Sequence, residues 1–452
     1  MRKIRTDAAQ WSRAALAVGI LCAAPAAAQQ TAPQPLSLSE AVSRAATTTA
    51  GVSAAQLRVT EAEARVRQAR AELLPSVSAA AGVSERTFNL EAMGISLPRA
   101  EGTPAPDPLI GPVSGVDARL RLNQTVFDAA GVARTRAARE FVGTVTAERA
   151  TVAQTAAQRA ALAYLRTTRA AATLSARQAD AALAGELLEL AQAQLEAGVS
   201  TAIDVTRART QKVAADGQVL VARNAAERAQ IELARSLGAD PATRFVLTDS
   251  LADGGFGAGV PTEQNAAVAQ ALERRPELAQ ALAQASTAQA QRRAIQAERL
   301  PRVDVVADYG ANGLHAGDAI GTGQVGLQLS LPILDGFRRE ARLQEQRAVI
   351  RETAVRSEDL RQQVQAEVQG ALLDLQNGRE QAQVAGERLR LAEDELALAR
   401  ERFTNGVASN LELIQAQASL ITARDAVIEA RFTTAAAQAN LARAVGSADT
   451  LR

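Results

Sequence analysis

Cysteine and histidine are almost missing from this chain: 452 residues contain one of each. The cysteine, Cys22, lies with the only tryptophan, Trp11, in the first 28 residues, so the rest has no disulfide framework and no thiol chemistry. The histidine, His315, sits in a Gly-rich turn, and one histidine without a cysteine makes neither a catalytic triad nor a zinc site. No carboxylate or lysine motif points to catalysis, so an enzyme is the weakest function class and no cofactor or metal is expected. Long apolar runs are lacking too. Beyond the N-terminal segment no stretch of 18 or more apolar residues occurs, which leaves a β-barrel as the only way this chain could span a bilayer. Aromatics are scarce at 2%, so a membrane-interface girdle has only Phe88, Phe127, Tyr309 and Phe337 to draw on.

What is present begins with an export signal. Arg2, Lys3, Arg5 and Arg13 precede an apolar run over 14–28, and Ala26-Ala27-Ala28 offers a small-residue cleavage site before Gln29. Leu21 stands where a lipidation box needs a small residue before its cysteine, so simple cleavage after Ala28 is expected. Residues 29–452 then carry 46 basic and 48 acidic side chains, and this near-balance gives no footprint for nucleic acid.

The body of the chain is written twice. Residues 190–238 align on 398–446 without a gap at an offset of 208, from Leu190 on Leu398 to Gly238 on Gly446. Upstream, Leu74-Pro75-Ser76-Val77 matches Leu300-Pro301-Arg302-Val303, and Val126-Phe127-Asp128 matches Ile333-Leu334-Asp335. Each half reads as helix, two strands, very long helix, turn, helix. The first half, 29–237, divides into helix 38–74, strands 76–88 and 116–127, long helix 128–197 and return helix 200–237. A linker or equatorial segment over 238–261 leads to the second half, 262–452, with helix 262–300, strands 302–312 and 324–334, long helix 335–405 and return helix 408–446. The Gly-rich run from Gly254 to Gly259 belongs to that linker, because no Lys-Ser/Thr follows it as a phosphate loop would need.

Both long segments lack proline and are rich in Ala, Arg, Gln, Glu and Leu, all good helix formers. About 70 residues separate Asp128 from Gly198, a helix on the order of 105 Å long. Such a helix needs coiled partners along its whole length, and the shorter helices on either side of it, stacked end to end, match its length. The strands alternate with period two: Val325, Leu327, Leu329, Leu331 and Ile333 against Gln324, Gly326, Gln328, Ser330 and Pro332, and Val116, Ala118, Leu120 and Leu122 against Asp117, Arg119, Arg121 and Asn123. Four strands are too few to close a membrane barrel, which takes about eight, so several chains would share one, and three chains would supply twelve strands. The Pro/Gly-rich stretch 89–115 reads as a surface loop.

These pieces resemble the TolC-like outer-membrane efflux proteins. The matching segments are LSLSEAVSRA (36–45), LRVTEAEARVRQARAELLPSVS (57–78), RRPEL (274–278) running into QAERLPRVDV (296–305), and two Gly-Val turns each followed by a helix. The resemblance implies a mainly α fold with a small β part: a homotrimer whose helical hairpins form a periplasmic α-barrel and whose strands form one 12-stranded transmembrane β-barrel. It also implies a Gram-negative outer-membrane location with lipid around the barrel, docking to a periplasmic adaptor protein and an inner-membrane transporter, and passive export of small molecules. Where family members carry an Asn-Pro pair in the first helix, this chain has Thr47-Thr48-Thr49-Ala50. The outer-membrane duct of a type I protein secretion system is the nearest alternative, and a non-pore periplasmic coiled-coil protein is the rival from another class. A single methionine after the signal, Met93, and the lone histidine weigh against metal export.

In that frame Gly198-Val199 and Gly406-Val407 are the tip turns where adaptor helices dock. Six residues beyond each glycine stands a carboxylate, Asp204 or Glu412. Thr201 with Asp204, and Ser409 with Glu412, fit the helix-capping pattern S/T-x-x-D/E, so these acids are expected to cap the returning helices. The resemblance places Glu412 at a pore-facing position, with Asp204 as its partner in a constriction ring. Gln415 replaces a second acid found in some members, and Arg207 is its counterpart in the first half.

Overall fold

A computed structural model describes residues 34–95, 107–251, 259–405, 407 and 409–451. The signal segment 1–28, residues 96–106 of the loop between the first two strands, most of the Gly254–Gly259 run and Gly406 lie outside the described residues. Each half contains two short helices, a strand pair and a hairpin of one very long and one medium helix. In the first these are α1 (Leu38–Thr48), α2 (Ala50–Ala71), β2 (Ser76–Asn89), β3 (Leu109–Asp128), α3 (Ala129–Glu196) and α4 (Ala202–Ser236). In the second they are α5 (Gln264–Arg274), α6 (Pro276–Ala297), β5 (Arg302–Gly313), β6 (Ile320–Ser330), α7 (Arg338–Thr404) and α8 (Asn410–Ala444). Corresponding helices have 11 and 11, 22 and 22, 68 and 67, and 35 and 35 residues. Two three-residue strands, β1 (Gln34–Leu36) and β4 (Phe245–Leu247), pair in parallel.

The helices expected as continuous over 38–74 and 262–300 are each broken. In the second half the cause is Pro276, whose ring forces the preceding Arg275 into extended backbone (φ −68°, ψ 122°) and then starts α6 as its first residue. The first half has no proline there. Instead the hydroxyls of Thr47, Thr48 and Thr49 donate to the carbonyls of Ser43, Arg44 and Ala45, and Thr49 turns extended (ψ 148°). Three successive β-branched residues bonded back onto the preceding turn end α1 without a proline. The glycine closing each return helix packs on the corresponding break: Gly238 against Thr48 and Thr49, and Gly446 against Arg274 and Arg275.

The strands differ from expectation at their ends. β3 starts at Leu109, well inside the stretch read as loop, and β6 covers 320–330 rather than 324–334. β6 is set by its antiparallel register on β5, from Arg302 opposite Ser330 to Asn312 opposite Ile320, and Pro332 could give no N–H to continue it. The four strands form one antiparallel sheet in the order β2-β3-β5-β6. Between β6 and α7 the backbone is left-handed at both Gly336 and Phe337, and Phe337 is the only non-glycine residue of this kind among the described residues. Within the segment 238–261, β4 joins β1 and places Phe245 in the core.

Alanine dominates the buried contacts of the hairpins and lets the helices approach closely. The largest core lies in a collar halfway along, where Leu36, Val42, Tyr164, Leu165, Leu233 and Phe245 meet. Tyr164 holds this collar together: its hydroxyl bonds the Leu36 carbonyl (3.1 Å) and the Asp249 carboxylate (2.9 Å), which also accepts from the Leu38 backbone N–H (2.7 Å). Burial pushes the Tyr164 phenol up to about 12. Within the collar Glu277 is clasped by Arg275 and Arg443. Burial raises its carboxyl, but the two guanidinium groups outweigh that and hold it below the ordinary range.

Candidate functional site: hairpin tips and an amphipathic sheet

The sheet has two chemically opposite faces. Residues directly opposite each other in the register share a face, so Val77, Leu122, Ala307 and Val325 line up across all four strands, followed by Ala79, Leu120, Tyr309 and Gly323. Leu327 and Leu329 extend that face, which is apolar and exposed: Tyr309 is 70% and Val325 80% accessible. The other face carries Asp117, Arg119, Asn123, Asp304, Asp308 and Gln324. On it Arg119 bonds Asp308 (2.7 Å), and Thr125 donates to Asp304 (2.8 Å). Among the described residues the outer strands β2 and β6 each lack a neighbour on one side. No helix among the described residues is long and apolar enough to cross a membrane.

About 100 Å from the sheet, at the far end of the long helices, the two hairpin turns lie side by side. α3 stops because Gly198 adopts φ +76°, and the Val199 N–H then reaches back to the Gln194 carbonyl (3.0 Å). That is a left-handed glycine cap, accessible to an L-residue only with strain. The second turn repeats the bond, from the Val407 N–H to the Arg402 carbonyl (2.9 Å). Val199 and Val407 are each 71% exposed, so each turn presents an uncovered apolar side chain.

The two carboxylates behave differently. Asp204 accepts from the Thr201 hydroxyl and backbone N–H and from the Ser200 hydroxyl, with Arg207 3.7 Å away. The Thr201 hydroxyl bond leads the interactions that hold its carboxyl below the usual aspartate range. Glu412 makes no such cap. Ser409 stands at the start of α8 without a side-chain cap bond, and the Glu412 carboxylate pairs with Arg402 at 3.0 Å instead. An arginine at the end of the preceding helix competes with the backbone N–H for that carboxylate, and in this turn it wins. Gln415 is exposed.

Two hydrogen bonds that no sequence pattern announces tie the turns together. The Asn410 side-chain amide donates to the Asp204 carbonyl (2.8 Å), and Gln194 donates to the Phe403 carbonyl (2.9 Å). Higher up, the carboxylate of Asp180 is buried, with its side chain 3% exposed, and accepts from Arg177 (3.2 Å) and Arg424 (2.8 Å). Arg177 bonds Asp425 as well. A cleft of about 270 Å³ between the turns is lined by Gln194, Val199, Asp204, Phe403 and Asn410 among others. Among the described residues no group of three or more His, Cys, Asp or Glu could hold a metal ion.

A duplicated set of long helical hairpins carries an amphipathic antiparallel sheet at one end. The chain belongs to the outer membrane efflux protein family, whose family model matches residues 41–239 and 267–447, one stretch in each half. It is 28% identical over 274 residues to the probable efflux pump outer membrane protein TtgC of Pseudomonas putida, an alignment spanning 58% of this chain and 54% of that relative. The chain therefore spans about half the length of that relative. To the pyoverdine export outer membrane protein OpmQ of Pseudomonas aeruginosa it is 26% identical, over 90% of this chain and 85% of the relative. Among solved structures it is similar in fold to the CmeC outer membrane channel of Campylobacter jejuni, with TM-score 0.74, 15% identity and 91% and 86% of the two chains covered. The open-state MtrE channel of Neisseria gonorrhoeae matches with TM-score 0.70, 19% identity and 91% and 89% coverage.

Proposed function

We propose that this chain is the outer-membrane channel of a tripartite efflux pump, a passive gated conduit that carries small molecules across the periplasm and outer membrane. The observation that carries this reading is the sheet: one face mostly apolar and exposed or half-exposed, the other mainly polar, on four strands with two open edges. An apolar face of that size is stable against lipid, and open edges are satisfied when copies of the chain pair β2 with β6 around a closed barrel. Three copies give twelve strands, a homotrimer, and six helical hairpins below the barrel. The names of the similar efflux and export proteins support small-molecule cargo.

The hairpin tips are then the periplasmic end. Val199 and Val407 form an apolar rim for the helices of a periplasmic adaptor, which links the channel to an inner-membrane transporter supplying the energy. Asp204 and Glu412 form the constriction ring. Their pairing with Arg207 and Arg402 leaves little net negative charge there, so the ring favours cations weakly. The test is single-channel conductance of detergent-purified protein in a planar lipid bilayer, wild type against the double variant Asp204→Asn, Glu412→Gln. Discrete openings whose ion selectivity changes in the variant are expected. Openings with unchanged selectivity refute the ring, and protein that stays soluble without detergent and gives no conductance refutes the channel.

A further inference from the structure

The offset of 208 residues maps every contact between α3 and α8 onto a counterpart between α7 and α4. Within one chain α4 packs on α3, while α7 packs on α8, α6 and α5, so the outer sides of α4 and α7 flank the structure. On α3 the residues Ala176, Asp180, Leu183, Leu187 and Leu190 recur at alternating steps of four and three, forming a coiled-coil seam. All five are buried or half-buried. Their counterparts on α7 are Val384, Arg388, Leu391, Glu395 and Leu398, with the same spacing, and all five are exposed. Val384 is 70%, Leu391 53% and Leu398 61% accessible.

The partner helices show the same contrast. On α8, Gln417 is buried and Ile421 and Ile428 are half-buried, whereas their counterparts on α4, Arg209, Val213 and Leu220, are exposed, Val213 at 66% and Leu220 at 65%. The buried ion pair between Asp180 and Arg424 fixes the register, and its counterpart is Arg388 with Asp216, the same pair with the charges exchanged. Arg388 has no side-chain partner among the described residues, and Asp216 is held only by Lys212 of its own helix (2.6 Å). α7 and α4 run in opposite directions, as α3 and α8 do, so a step forward on one is a step back on the other. From Arg388–Asp216, such steps bring Leu391 to Val213, Glu395 to Arg209 and Val384 to Leu220. The four positions alternate apolar with oppositely charged, on both helices, at the same spacing. The other ion pairs between α3 and α8 are not carried over: Arg177–Asp425 maps to Ala385 and Gly217, and Arg169–Glu429 to Asn377 and Val221.

We propose that α7 of one copy docks on α4 of a second copy in this register, with Arg388–Asp216 and Glu395–Arg209 as intermolecular ion pairs framing Leu391–Val213. This rests on the homotrimer reading above and names the side chains that close its helical ring. The interface is head-to-tail, and it closes because each hairpin junction between copies repeats the junction built into the chain.

Without the signal segment the chain has no cysteine, so introduced pairs are unique. The pairs Arg388→Cys with Asp216→Cys, and Leu391→Cys with Val213→Cys, are to be oxidised in native membranes beside a control one heptad out of register, Leu391→Cys with Leu220→Cys. Covalently linked copies from the first two and none from the control are expected. In parallel, Arg388→Asp or Asp216→Arg alone is expected to weaken trimer association on the order of tenfold, from three repulsive contacts, with recovery in the double charge-exchange variant. Trimers that cross-link only in the control, or single charge variants that associate like the wild type, overturn the register. A wild-type chain that is not trimeric in detergent overturns the assembly reading itself, a separate outcome.

Discussion

Asp180 is the charge on which the junction between the two hairpins depends most. Its side chain is 3% exposed, and among the described residues it is the only side-chain partner of Arg424, itself 29% exposed. Replacing it with asparagine keeps the shape and removes the charge. Arg177 still has Asp425, but Arg424 is left as a mostly buried cation facing an amide. Removing one member of a buried pair costs about 3–5 kcal/mol when the remaining charge is fully buried. The partial exposure of Arg424 and the retained Arg177–Asp425 pair lower this to about 2 kcal/mol. Such a loss acts on the local opening of α3 from α8, which amide hydrogen exchange measures directly. The expected result for Asp180→Asn is exchange about thirtyfold faster in the segments around 176–184 and 420–428, with the collar around Tyr164 unchanged. Replacing Arg424 with methionine in the same chain is expected to recover most of the protection, because the stranded cation is gone. If Asp180→Asn exchanges like the wild type in those segments, the ion pair does not hold the hairpins together and the reasoning is wrong.

Two further outcomes follow from the collar. Gly446→Ala is expected to lower stability more than Gly238→Ala, although both have positive φ. A Cβ at 446 would come within 3.0 Å of the Arg274 backbone, while one at 238 finds its nearest atom at 3.6 Å. The left-handed backbone costs each about 1 kcal/mol and the clash adds about 1–2 kcal/mol at 446, a difference visible in thermal unfolding of the two variants. Tyr164→Phe is expected to cost about 1 kcal/mol by removing the hydroxyl's bonds to the Leu36 carbonyl and Asp249, which keep their bonds from Thr248 and Leu38. Because burial raises the Tyr164 phenol to about 12, the folded state resists its ionisation, so stability contributed by the neutral phenol is intact below pH 10 and lost as pH rises from 10 towards 12. A comparison of wild type and Tyr164→Phe across that range is expected to show the steeper alkaline loss in the wild type.

Much of this molecule was legible in its residues because the forces concerned act over short stretches. Proline-free, alanine-rich segments read as helices of nearly their observed length, glycine at 198 read as a turn, and period-two alternation around Leu120 and Leu327 read as strands with one apolar face. The repeat showed that whatever the first half does, the second half does again. The misses have a common form. The break at Thr49 was hidden because three threonines did what proline does in the other half, and β3 extended into a Pro/Gly-rich stretch because its neighbours supplied a ladder. The pairing of Gln34–Leu36 with Phe245–Leu247, the Asn410 bond to the Asp204 carbonyl and the Asp180–Arg424 pair join residues more than 200 positions apart. Capping showed the same limit: the Ser409-Glu412 spacing matched Thr201-Asp204, yet Arg402 drew the glutamate away. The sequence alone determined the long helices, the strand alternation and the duplication, because propensity, periodicity and turn chemistry depend on neighbours along the chain. The partners of the buried charges were decided only by the tertiary structure, because a charge taken out of water is held by whichever opposite charge the packing brings beside it.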